Sequence, residues 1–140
     1  MPTYMTKIRP LQTAVLAALA AMLAGCSHPS APAAPPSQTV SGMTITLLAV
    51  LPAHTGDNTF VVTLKDAASG APIGNANLTA TPEMMSPRLS GTPTSGRAQG
   101  NGMYNVPIRL AVATRYDIVL HVERTGHLAA AVSFPVEAAQ

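Results

Sequence analysis

Between Met103 and Val136 three runs carry apolar residues at every second position, and this alternation restricts the fold more than any other feature of the chain. Tyr104, Val106, Ile108 and Leu110 alternate with polar or small residues, as do Tyr116, Ile118, Leu120 and Val122. Leu128, Ala130, Val132, Phe134 and Val136 repeat the pattern. A period of two places one set of side chains on one face of a strand and the other set on the opposite face. Each segment therefore reads as a half-buried strand, with its apolar face turned to a core. Thr125-Gly126 separates the last two runs and reads as a tight hairpin turn. Pro107 lies on the polar face and lacks an N–H, which suits an edge strand or a bulge.

The same reading extends backwards. Met43 to Val50 is apolar and β-branched, and Leu51 to Asn58 is a polar loop with Pro, Gly, Asp and Asn. Asn58 to Lys65 alternates, with Phe60, Val62 and Leu64 on one face. Asp66 to Asn75 turns, and Ala76 to Thr81 supplies a further short strand. Pro82 to Gly102 holds three prolines and four glycines and is expected to be a long loop or crossover. About six to seven short strands with no helical period predict an all-β protein, an immunoglobulin-like antiparallel β-sandwich over residues 42–138.

The first residues have a different character. Lys7 and Arg9 precede an apolar run of about 11 residues, Ala14 to Ala24, with no acidic residue before it. A basic start, a short apolar core and small residues at its end form a secretory signal. A spanning helix needs about 20 apolar residues, so a cleaved signal peptide over residues 1–25 is the expectation. Leu23-Ala24-Gly25-Cys26 resembles the bacterial lipobox. That resemblance implies diacylglycerol on Cys26, cleavage before it and a further acyl chain on the new amino terminus. Two or more chains hold a protein stably on a membrane. Ser27 follows the cysteine where the lipoprotein pattern has aspartate for inner-membrane retention, which favours periplasm-facing display from the outer membrane. Residues 26–41, with four prolines between Ser27 and Thr39 and no large apolar side chain, read as an extended, disordered tether.

Charge and cysteine usage narrow the function classes. The formal charge is +2, from eight basic and six acidic residues, and Lys7 and Arg9 leave with the leader. The remaining six basic residues balance the six acidic ones, so no basic patch supports nucleic-acid binding. Cys26 is the one cysteine, leaving the domain without a disulfide and dependent on its core. No G-x-S-x-G elbow or phosphate-binding loop occurs, and the acidic residues are scattered, so a non-enzymatic role is expected.

The order of features along the domain carries a second resemblance. Gly56-Asp57-Asn58-Thr59-Phe60 opens an alternating strand; Ser69-Gly70-Ala71-Pro72-Ile73 and Ala76-Asn77-Leu78 follow. Thr81-Pro82-Glu83-Met84-Met85, Gly102-Met103-Tyr104 and Arg115-Tyr116-Asp117-Ile118-Val119-Leu120 complete the series. This resembles the YtkA-like domain and, more distantly, FixH-type proteins. The resemblance implies a small exported immunoglobulin-like sandwich associated with copper handling, heavy-metal efflux or envelope assembly. The family's spaced methionines are reduced here to Met84-Met85, and Tyr116 stands where the family often has Trp.

Copper is the chemistry those residues suggest. Thioethers suit Cu(I), and imidazole suits either oxidation state. Met84, Met85 and Met103 would converge if the crossover folds back on the following strand, with His54 joining from its loop. The plain alternative is that methionine fills gaps in a core. In a strand, Met84 and Met85 would point to opposite faces. A pairing of His121 with His127 across the hairpin would make a small metal or proton site, against the alternative of a solvated face. Two functions remain: a lipid-anchored accessory in copper or heavy-metal handling, or a metal-independent interaction module of an envelope complex.

Overall fold

The alternating runs become paired strands in the computed structural model, which describes residues 34–48 and 52–140. The chain divides into Met1–Pro32 and Ala33–Gln140, and every described strand belongs to the second unit. The expected leader, Cys26, residues 27–33 of the expected tether and Ala49 and Val50 of the first expected strand lie outside the described residues. In chain order the strands are β1 (Ser37–Val40), β2 (Met43–Leu48), β3 (Ala53–His54), β4 (Gly56–Asp66) and β5 (Asn77–Met85). There follow β6 (Arg88–Ser90), β7 (Thr94–Ser95), β8 (Arg97–Gly100), β9 (Met103–Leu110), β10 (Arg115–Glu123) and β11 (Ala130–Ala139).

These form two sheets, β1-β2-β4-β9-β8 and β3-β11-β10-β5-β6, with β7 also paired to β5. All pairings are antiparallel except the short one between β3 and β11. The inner faces meet in one apolar cluster. Ile45, Val62, Leu64, Val106 and Leu110 from the first sheet pack with Leu78, Ile118, Leu120, Val122 and Phe134 from the second. No charged side chain among the described residues is fully buried. The protein is a β-sandwich held by alternate burial of Val, Leu, Ile and Tyr on both sheets.

The two ends of the sandwich matter for function. At one end, Met103 opens β9 and Asn77 opens β5. The buried Tyr104 hydroxyl joins them, donating to Ile73 O (3.0 Å) and accepting from Ala76 N (3.1 Å). At the other end, β5 closes at Met84 and Met85, Leu110 closes β9, and Gly56 opens β4. These are called the Met103 end and the Met84 end.

Several expectations need correction. The sheet begins at Ser37, inside the segment expected to be tether. Ser37 to Val40 pair with Thr46 to Met43, and the Gln38 side chain donates to Ser133 O at 2.6 Å. A short polar strand has no apolar alternation to reveal it; ladder and hydroxyl pairing define it only once β2 is in place. The expected Pro82–Gly102 loop is largely strand, because β5 runs through Pro82 to Met85 and β6, β7 and β8 follow. The two in-strand prolines explain why this is tolerated. Pro82 O accepts from Gly91 N (2.7 Å) and Pro107 O accepts from the Thr94 hydroxyl (2.6 Å). A strand residue's nitrogen and carbonyl point to the same side. Both missing N–H groups therefore face the fragmented β6–β7 side, where no continuous ladder needs them.

The last hairpin also differs in detail. His127 N donates to Arg124 O (3.1 Å) around Thr125-Gly126, but strand pairing resumes only at Val122–Ala130. Ala130, Val132 and Phe134 turn inward as the alternation requires, and Val136 is half-buried. Leu128, expected inward, is 81% exposed, because it lies in the connection between β10 and β11 and not in the ladder.

Candidate functional site

Met84 and Met85 close β5 on opposite faces. Met84 lies directly across from Tyr116 and from Leu89, half-buried against the core. Met85 lies across from Arg88 on the outer face and is exposed. Two adjacent strand residues on opposite faces cannot bind one ion together. The crossover does fold back on the following strand, as β8 on β9 with Gly100 across from Met103, but Met84 and Met85 at its start stay on β5 in the second sheet. Met103 stands across from Thr63 in the first sheet. It lies a full strand length from the pair: the nine residues of β5 span about 26 Å.

His54 lies at the Met84 end, in β3. β11 and β10 intervene between it and β5, three strand spacings or about 14 Å. Its backbone N–H donates to Asn58 Oδ1 (3.0 Å), and Asn58 Nδ2 donates back to His54 O (2.7 Å). The ring Nδ1 sits 2.9 Å from Thr55 O, which can only accept, so Nδ1 carries the proton and Nε2 is the nitrogen left with a free lone pair. The four residues expected to converge are thus spread over two faces, two sheets and both ends. Nor are His121 and His127 brought together. His121 stands across from Thr79 and Ala131, while His127 lies in the connection beyond the strand. No cluster of three or more His, Cys, Asp or Glu suited to a metal occurs among the described residues.

Tertiary pairing also produces arrangements that the sequence hid. Glu83 stands directly across from Asp117 on the outer face of the second sheet, although 34 positions separate them in the chain. At the Met103 end, Asp66 ends β4 and begins the loop that follows. Its Oδ1 accepts from Ser69 N (2.8 Å), the Ser69 hydroxyl (2.9 Å) and Ala68 N (3.1 Å). These bonds favour the charged form, so the Asp66 carboxyl lies below its ordinary value, the Ser69 N–H being the largest cause.

The exposed apolar side chains gather at the two ends. Met85, Leu89 and Val112 lie at the Met84 end, 45%, 56% and 48% exposed, while Met103 and Leu128 lie at the other. The Tyr116 hydroxyl fixes the Val112 turn, accepting from Val112 N and donating to Val112 O, both at 3.1 Å. Leu89 protrudes from β6, the short edge strand of the second sheet. Leu89 and Val112 were missed by sequence reasoning. Leu89 sits in a segment without periodicity, and Val112 stands beyond the last alternating residue of its run.

No protein-family model matches the chain, and no curated protein matches it either.

Proposed function

We propose that the chain is a non-catalytic binding module of the bacterial cell envelope, held there by lipid on Cys26, which works through the loops and strand ends of its sandwich. The YtkA-like resemblance and an immunoglobulin-like identity for the sandwich belong to the same proposal. The Tyr116 hydroxyl bonded to Val112, just upstream of its strand, is a device that immunoglobulin-like domains use at a corner. The observation that carries the reading is the distribution of side chains. The candidate metal ligands are dispersed, whereas large apolar side chains stand exposed at the strand ends. Metal handling remains the competing reading, favoured by the free Nε2 of His54.

Copper titration separates the two. Cu(I) is expected to bind wild type no more tightly than a Met84→Ile, Met85→Ile, Met103→Ile triple variant. Tight binding that is lost in the triple variant or in His54→Ala overturns the interaction reading in favour of metal handling. The anchor is tested by Cys26→Ser, which is expected to end acylation and to remove the processed form from membranes. A processed Cys26→Ser chain that still fractionates with membranes overturns the lipobox assignment.

A further inference from the structure

We infer that the Met84 end of the sandwich rests on the lipid bilayer that holds the anchor; the inference builds on the anchoring proposed above. Two independent observations support it. The first is the apolar group itself. Met84 is its centre, directly across from Leu89 on one side and from Tyr116 on the other, and the Tyr116 hydroxyl holds Val112 in place. Met85 and Leu89 flank the Ser86-Pro87 turn, so the β5–β6 hairpin presents apolar side chains on both faces of its tip. Apolar side chains exposed together at a loop tip suit the boundary between headgroups and acyl chains.

The second observation is the direction in which the anchor's arm leaves the domain. β1 runs from Ser37, across from Thr46, to Val40, across from Met43, and Met43 lies across from Asp66 at the Met103 end. The chain before Ser37 therefore departs toward the Met84 end, and Pro36 O still accepts from Leu47 N at 3.0 Å. Leu47 lies across from Val62, and from there to Gly56 the first sheet extends about 20 Å further. The ten residues from Cys26 to Pro36 reach at most about 35 Å when extended. That is enough to pass the Met84 end and enter the bilayer there without reversing direction.

Charge does not drive the contact. Arg88 stands across from Met85, but Arg115 stands across from Glu137, so the rim is mixed. The docking is apolar and should persist in high salt, where a purely electrostatic contact is screened. The orientation leaves the Met103 end, with Leu128 and the Asp66 loop, turned away from the membrane and open to a partner.

The full processed chain in vesicles of phosphatidylethanolamine and phosphatidylglycerol tests the inference. Mass spectrometry first establishes the lipid on Cys26, which blocks that sulfur. Leu89→Cys, Val112→Cys and Leu128→Cys variants then each offer one thiol for a fluorescent reporter. Doxyl-labelled lipid is expected to quench the reporters at 89 and 112 several-fold more than the one at 128, in low and high salt alike. Equal quenching at all three positions, or stronger quenching at 128, overturns the docking while leaving the anchor intact. A blue shift at 89 and 112 without quenching places a protein there, a second copy included, and overturns it too. A chain without lipid on Cys26 overturns the anchor, and the docking with it.

Discussion

Tyr104 shows how much one side chain holds at the Met103 end. Its ring is buried between the sheets and its hydroxyl bonds both the carbonyl of Ile73 and the N–H of Ala76. Tyr104→Phe keeps the ring but takes the hydroxyl from a buried carbonyl and a part-buried N–H. A loss of about 1–3 kcal/mol is expected, read from the urea midpoint. Gly102, just before it, has φ +71°, and a Cβ there would clash with Leu64 O and lie 3.0 Å from Ile73 N. Gly100 has φ +93° but open space around it. Gly102→Ala should therefore cost clearly more than Gly100→Ala in the same denaturation series; each incurs roughly 1–3 kcal/mol of backbone strain, and only Gly102→Ala adds a clash with backbone atoms. The Tyr104 side chain was legible in the sequence as an inward residue of an alternating run. Its partners were not, because Ile73 and Ala76 lie 31 and 28 positions away and meet it only after the sheets close.

Loops and hairpins carry the next level of specification. Asp66 begins a turn whose three bonds to Ala68 and Ser69 all favour the carboxylate. A lowered folded-state value means that this stabilisation is fully present above the ordinary aspartate range and is lost as pH falls through the lowered value. Wild type should thus lose stability in acid partly through this loop. Asp66→Asn, which keeps the acceptor oxygen but does not titrate, should show a flatter profile when denaturation is followed below about pH 5. The alternating strands β4, β9 and β10 were readable because each presents one apolar face to a single core. β1, β6, β7 and β8 were not, because they are short edge segments with no apolar period, and their partners alone make them strands. The proline-bearing end of β5 was hidden for a related reason: whether a proline breaks a ladder depends on which side its missing N–H faces.

Over the whole molecule, one apolar cluster spans both sheets, with residues such as Leu64 and Leu120 fully buried in it. Such a core makes the two sheets a single cooperative unit. Leu120→Ala should lower stability by about 2–5 kcal/mol. Amide exchange should then quicken together in β2 and in β10, although β2 belongs to the other sheet; a loss of protection confined to the second sheet would show that the sheets unfold separately. The candidate metal residues illustrate the opposite relation between sequence and fold. Met84, Met85, Met103 and His54 have the right chemistry for copper, but ligand chemistry says nothing about convergence. The all-β class, most of the core-facing residues of the alternating runs and the balance of six basic against six acidic residues beyond Cys26 come from the sequence alone, since period-two burial and charge counts are local properties of the chain. Which strand ends share an edge, which apolar residues are left outside, and in which direction the chain just before Ser37 departs were decided only by the tertiary structure, because these depend on pairings between residues far apart in sequence.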